Sequence, residues 1–129
     1  MIEIKVQTSS RNQLIDITRL IRDKVPSNFS GLAFAYVPHT TAGITINEGA
    51  DPSVRSDILD RLSELVPYGA RYKHTEGNAD SHIKSSLVGS SIGVIVDNGE
   101  LMLGTWQALF FCEFDGPRSR RVFVELVKR

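Results

Sequence analysis

The three histidines of the chain all lie in polar segments rather than in apolar stripes: His39 in Pro38-His39-Thr40-Thr41, His74 in His74-Thr75-Glu76-Gly77-Asn78, and His82 in Asp80-Ser81-His82. Neutral imidazole is the commonest metal ligand, and its unperturbed pKa of about 6.5 also makes it a proton carrier near neutral pH. Two chemistries are therefore open to these side chains, an open metal site holding zinc and acid–base catalysis. No His-x-x-x-His pair places two ligands on one helical face, so spacing alone leaves ordinary hydrogen-bonding histidines as the alternative. Glu76 and Asp80 surround the second histidine pair, where a carboxylate can orient an imidazole or serve as a base. Asp80 also stands four residues before Lys84, the spacing of a helical ion pair.

A small basic cluster, Arg118, Arg120 and Arg121, follows Gly116-Pro117, and Lys84, Ser85 and Ser86 come together after His82. Guanidinium forks, hydroxyls and the free amides of a helix starting near Asn78 are groups that recognise phosphate. The alternative is a turn whose charges only confer solubility. Thr40 and Thr41 add hydroxyls at the entrance of the strand that follows His39. In Gly104-Thr105-Trp106-Gln107 the sole tryptophan either joins the core or stacks on a flat ring while Gln107 reads polar edges. Glu113 interrupts a run of Leu, Phe and Cys and is expected to face solvent. Cys112 shares its parity with Phe110 and Phe114, which predicts packing rather than nucleophilic work. No serine lies in a Gly-x-Ser-x-Gly elbow, so a serine hydrolase is not supported.

The elements that must position these groups follow from periodicity. Ile2, Ile4 and Val6 alternate with charged residues as in a half-buried strand. Leu14, Ile17, Ile21 and Val25 recur at three and four after Ser9-Ser10, which predicts a helix ending before Pro26. Leu32 to Val37 is apolar on both parities, the mark of a central strand covered on both faces. Ala42 to Asn47 alternates as another strand, and Asp51-Pro52 starts a second helix with Val54, Ile58, Leu62 and Leu65 as its buried stripe. Ala79 to Val88 predicts a short helix with Ile83 and Leu87 inward, ended by Gly89. Asp97-Asn98-Gly99-Glu100 is a tight hairpin turn, Thr105 to Phe114 a long strand apolar on both faces, and Val122, Val124 and Leu126 belong to a closing strand. Late hairpins force antiparallel pairing, so the expected class is α+β: one domain, antiparallel or mixed sheets, two longer helices and one short one.

Fifteen basic residues balance fifteen acidic ones among 129, which removes any global electrostatic reason to expect nucleic acid or an anionic membrane as a partner. The chain is long enough to bury a core without staples, and its single cysteine cannot form an internal bridge. No signal-peptide pattern and no stretch of about 20 apolar residues occur, so a cytoplasmic protein is expected.

Four segments together carry a resemblance: residues Pro38 to Glu48, His74 to Ser86, Gly104-Thr105-Trp106-Gln107, and Glu113-Phe114-Asp115-Gly116-Pro117-Arg118. In order and spacing they resemble the YjbQ family, whose members carry the name secondary thiamine-phosphate synthase enzyme. The resemblance implies a small α+β protein with antiparallel sheets, assembled as a homotrimer with a polar cleft near the subunit interfaces. It also implies joining a thiazole phosphate to a pyrimidine diphosphate with loss of pyrophosphate. His39, His74 and His82 fall on the family's histidine positions, Asp80 on an acidic one, and Thr105-Trp106-Gln107 on its late motif.

From residues and resemblance together, the expected catalytic set is His74, Glu76, Asp80 and His82, with Asp80 fixing an imidazole. Contacts to a phosphorylated small molecule are expected from Thr40, Thr41, Asn78, Lys84, Ser86, Thr105, Trp106, Gln107, Arg118 and Arg120. A divalent metal, zinc or magnesium, is expected at His39, His74 and His82. Three functions stay open: a phosphate-ligand enzyme with secondary thiamine-phosphate synthase activity, a zinc-assisted hydrolase, and a noncatalytic trimeric binding protein.

Overall fold

The computed structural model describes residues 1–129 and arranges the apolar segments in two antiparallel sheets. The strands in chain order are β1 (Ile2–Gln7), β2 (Gln13–Asp16), β3 (Gly31–Tyr36), β4 (Ala42–Glu48), β5 (Ser91–Asp97), β6 (Glu100–Leu101), β7 (Gln107–Glu113) and β8 (Ser119–Lys128). The helices are α1 (Thr18–Arg22), α2 (Pro52–Leu65) and α3 (Ala79–Val88). A five-stranded sheet runs β1-β8-β3-β5-β6 and a three-stranded one β2-β7-β4. No helix is long and apolar enough to cross a membrane.

The core sits between the two sheets. Ile4, Val6, Ala33, Ala35, Val122 and Val124 from the larger sheet meet Ala42, Ile44, Leu109 and Phe111 from the smaller, with Ile17 and Ile21 closing one end. Odd and even residues of β7 both find apolar cover, as its sequence predicts: Phe110, Cys112 and Phe114 face the other way, where Ile58, Leu59 and Leu62 of α2 pack over them. Burial pushes the Cys112 thiol up to about 12, so it stays protonated and inert.

The strand β3, expected to be covered on both faces, is covered only on its Ala33 and Ala35 side, because no helix of the chain packs on Leu32, Phe34 and Tyr36. Three further elements differ from their sequence expectations, each for a physical reason. Residues 13–16 form a strand because β7 offers them a free edge, with Leu14 opposite Cys112 and Asp16 opposite Phe110. Asp16 then ends that strand by accepting from the Thr18 amide and hydroxyl at 3.0 and 2.6 Å, and only one short helical turn follows. Consequently there is one long helix, not two. Asp51 caps α2 as expected, accepting from the Ser53 amide at 2.9 Å, but the helix lies flat on the surface and Leu65 is 68% exposed. In α3 the expected face is reversed: Ile83 and Leu87 point outward, while Ala79, Asp80, Ser81 and Lys84 are buried.

Two glycines are required where they stand. Asn98 and Gly99 turn the β5–β6 hairpin at φ of 48° and 79°, and a Cβ on Gly99 would lie 2.7 Å from the Ser27 carbonyl oxygen. A Cβ on Gly43 would sit 2.6 Å from the carbonyl of Gly89, so β4 can approach the end of α3 only with glycine there. That approach sets the distance between the segment bearing His39 and the helix bearing His82.

Candidate functional site

The segment between β3 and β4, the start of α3, and the β7–β8 turn converge at one end of the smaller sheet. Between them lies a cleft of about 420 Å³ with wholly polar side chains apart from Pro38, and His39, Glu76, Asn78, His82, Arg118 and Arg120 reach it. Thr40 and Thr41 complete the wall that carries His39.

Its floor is a buried ion pair. Glu113 is fully buried and grips Arg120, with Nε to Oε1 at 2.9 Å. It also accepts from the Thr8 hydroxyl at 2.7 Å and from the amides of Phe114 and Asp115 at 3.1 Å. Burial alone would raise this carboxyl; the bonds from Arg120 and Thr8 outweigh it and hold Glu113 below the usual carboxylate range. The solvent-facing role expected for Glu113 is thus corrected. Sequence parity could not see that Arg120, seven residues on, folds back across the turn. Arg120 Nη2 also donates to Thr41 Oγ1 at 2.9 Å, tying the His39 segment to the floor.

Above the floor, His39 Nε2 accepts from the Arg121 amide at 3.1 Å, which requires a neutral ring carrying its proton on Nδ1. Burial, then the positive charge of Arg120, lowers the His39 pKa, so the neutral form is favoured. On the opposite wall a hydrogen-bonded chain runs from His74 Nε2 to Asn78 Oδ1 at 2.9 Å and from Asn78 Nδ2 to Asp115 at 2.9 Å. Arg118 closes it with Nη2 to the Asp115 carboxylate at 3.0 Å. Arg118 remains about half exposed, so its fork can still meet a ligand.

His82 is the free imidazole. Its ring packs edge-on against His74 at 5.2 Å and its ring nitrogens make no hydrogen bond; the backbone amide donates to the Asn78 carbonyl at 3.4 Å and the carbonyl accepts from the Ser85 and Ser86 hydroxyls at 2.9 and 3.0 Å. Besides the main cleft it borders two side depressions, one with Ser85 and Ser86 and one with Tyr72 and Ile83.

Other expected site residues lie elsewhere. The Asp80 carboxylate touches no imidazole; Arg11 holds both its oxygens at 3.0 Å, and Lys84 lies 3.4 Å away. Burial opposes ionisation of Asp80, but Arg11 and then Lys84 hold it below the usual range. Lys84 is itself 1% exposed and bonds Asn12 at 3.1 Å, so it faces the protein interior rather than the cleft. Arg11, which stacks over Tyr68 at 4.3 Å, had no sequence signal because its partner is 69 residues away. Thr105, Trp106 and Gln107 sit at the far end of β7, where Gln107 pairs with Glu48, whereas Glu113 at the cleft pairs with Ala42. At about 3.4 Å per residue, six steps of strand separate the two ends by roughly 20 Å.

Zinc needs three or four ligands about 2.0–2.3 Å from one point. No three His, Cys, Asp or Glu side chains of this chain are placed to hold a metal ion, so the three-histidine set does not fit zinc or magnesium within one chain.

Comparison with known proteins agrees with this architecture. A family model described as UPF0047 protein YjbQ-like matches residues 2–129. A UPF0047 protein of Methanocaldococcus jannaschii is 50% identical over 129 residues, covering 98% of this chain and 94% of the relative. The UPF0047 protein YugU of Bacillus subtilis is 49% identical over 127 residues, covering 96% of each. Among solved structures, an uncharacterized conserved protein from Clostridium acetobutylicum superposes with a TM-score of 0.94 at 52% identity, covering 98% of this chain and all of the other. A conserved hypothetical protein from Thermus thermophilus gives the same TM-score and coverage at 42% identity.

Proposed function

Because this chain belongs to the UPF0047 YjbQ-like family, whose relatives' names state no reaction, the cleft itself must carry the reading, and we propose that it binds a small phosphorylated ligand. One observation supports this most: a free imidazole, His82, and a half-exposed guanidinium, Arg118, open on one polar cleft. Arg118 supplies a planar fork for phosphate oxygens, held in place by Asp115. Thr40 and Thr41 supply hydroxyls beside it, and Asn78 links Arg118's carboxylate partner to His74. Both guanidiniums are ion-paired, but Arg120 is buried against Glu113 whereas Arg118, beside Asp115, stays about half exposed, so Arg118 is the one that an anion can reach.

In this reading His82 is the proton donor or acceptor, having both ring nitrogens free, while Glu76 borders the cleft as a second proton-handling group. The transfer reaction that the family resemblance implies, with pyrophosphate as the departing group, fits a cleft of this chemistry. A cytoplasmic setting and a homotrimer belong to the same proposal; the second draws support from the uncovered outer face of the larger sheet, where Leu32, Phe34, Tyr36, Ile95 and Val127 are exposed.

Calorimetric titration with pyrophosphate and with a phosphate monoester tests the reading. Arg118→Ala and His82→Ala should each weaken binding about tenfold or more, about 1.4 kcal/mol. Equal affinity in parent and both variants would contradict it. Formation of thiamine phosphate from its two phosphorylated halves then separates the outcomes: turnover lost in His82→Ala supports transfer, and binding without turnover supports the noncatalytic alternative.

A further inference from the structure

The far end of the smaller sheet carries a second depression, of about 430 Å³, that the histidine cleft does not absorb. Trp106 lines it and is 64% exposed, although a tryptophan ring ordinarily buries most of its surface. The backbone beneath it is fixed. The Gly49 amide donates to the Trp106 carbonyl at 2.8 Å, and the Gln107 amide donates to the Gly104 carbonyl at 3.0 Å. Gln107 Oε1 in turn accepts from the Gly104 amide at 2.7 Å, which leaves the Gln107 side-chain N–H donors without a partner. The indole is thus held out to solvent by a loop with its own hydrogen bonds, and no arginine or lysine of the chain covers its face.

Arg19 and Arg22 of α1 line the same depression. Neither forms an ion pair, whereas Arg118 and Arg120 at the histidine cleft are held by Asp115 and Glu113. The one carboxylate on the wall, Asp16, has Oδ1 engaged by Thr18 at 2.6 and 3.0 Å. Two guanidiniums against one carboxylate leave a net charge of +1. Favourable placement near the C-terminus of α1 accounts for positive charge in that turn, but not for an exposed indole and a free amide set beside it.

We propose that Trp106, Gln107, Arg19 and Arg22 form a second binding site for a small planar-ring anion. The indole stacks on the ring, Gln107 donates to a polar edge, and the two guanidiniums take the phosphate or carboxylate. The site lies roughly 20 Å from the histidine cleft along β7, taking about 3.4 Å per strand residue, and does not depend on what that cleft binds.

Trp106 is the only tryptophan, so its emission reports on this site alone. In the intact protein, phenyl phosphate should change that emission saturably, and cyclohexyl phosphate, which has the anion without the flat ring, should bind about tenfold more weakly or worse. Benzoate in parallel tells phosphate from carboxylate recognition. Arg19→Ala with Arg22→Ala should weaken the phenyl phosphate response about tenfold or more, about 1.4 kcal/mol, with an unchanged melting temperature. Arg118→Ala should leave the response intact, so failure of the cleft reading and of this one are distinguishable. The proposal is overturned by an emission that does not saturate, by an equal response in the double arginine variant, or by an emission that follows protein dilution instead of ligand.

Discussion

At the scale of single residues, the buried carboxylates and the neutral histidine determine how the protein answers to pH. Glu113 and Asp80 have folded pKa values below their unfolded ones, so the unfolded chain binds more protons and stability rises with pH. Their contribution is present above the unfolded values of about 4 and is lost as pH falls through the lower folded values. His39 acts in the same direction at higher pH, because its folded pKa is also lowered: the unfolded imidazole takes up a proton first as pH falls below about 6.5. Melting temperature should therefore decline gently below pH 6.5 and steeply below pH 4, and His39→Gln should remove the first decline. A melting temperature flat from pH 7 to pH 3 would contradict this. Glu113→Gln leaves Arg120 as an uncompensated buried charge and should destabilise by about 3 kcal/mol or more, as measured by urea unfolding.

At the scale of elements, α3 shows both what periodicity reads and what it misses. Its ends, Ala79 and Val88, follow from the pattern of small and apolar residues and from the glycine at 89. Its inward face does not follow, since hydrophobic periodicity assigns Ile83 and Leu87 to the core, whereas the charges of Asp80 and Lys84 go inside because Arg11 and Asn12 come from a distant segment to meet them. Ile83→Ser and Leu87→Ser should thus change stability by only about 0.5 kcal/mol or less. Asp80→Asn should cost about 3 kcal/mol or more by breaking a buried pair, where a surface helical pair would cost a few tenths. Denaturant titration of the three variants separates the two faces of the helix. The stretch from Leu14 to Val25 was illegible for a related reason: the edge of β7 that converts residues 13–16 into a strand is about a hundred residues away, so local pattern could not report it. Among the site groups, the polar segments predict that His39, His74 and His82 converge; His39 and His82 border one cleft, where Arg118 joins them, His74 packs against His82, and the separation of Trp106 depends on the register of β4 with β7.

At the scale of the whole molecule, the larger sheet is covered on one side only. Antiparallel sheets usually leave one face to water, but that face is then polar; here Leu32, Phe34 and Tyr36 of the central strand β3, with Ile95 and Val127 on its neighbours, make an exposed apolar patch. Both-sided apolarity in Leu32 to Val37 was visible in the sequence, and within one chain only the Ala33 and Ala35 side finds cover. Light scattering at low micromolar concentration should give about three times the 14.3 kDa chain mass, and Phe34→Asp should lower it. A monomer in the parent protein would contradict the proposed assembly.

The central claim is that one polar cleft, bordered by His39, His82 and Arg118, takes a phosphate group. Histidine-ring NMR reads it directly, because the chain has only three imidazoles to assign. On titration with a phosphate monoester, the His82 and His39 ring signals should move together and saturate, with a smaller change at His74, which Asn78 already holds. In Arg118→Ala the same titration should move them only at about tenfold higher concentration, a loss of about 1.4 kcal/mol. Ring signals of His39 and His82 that stay fixed in the parent protein while the ligand is raised to saturating millimolar levels would contradict the account.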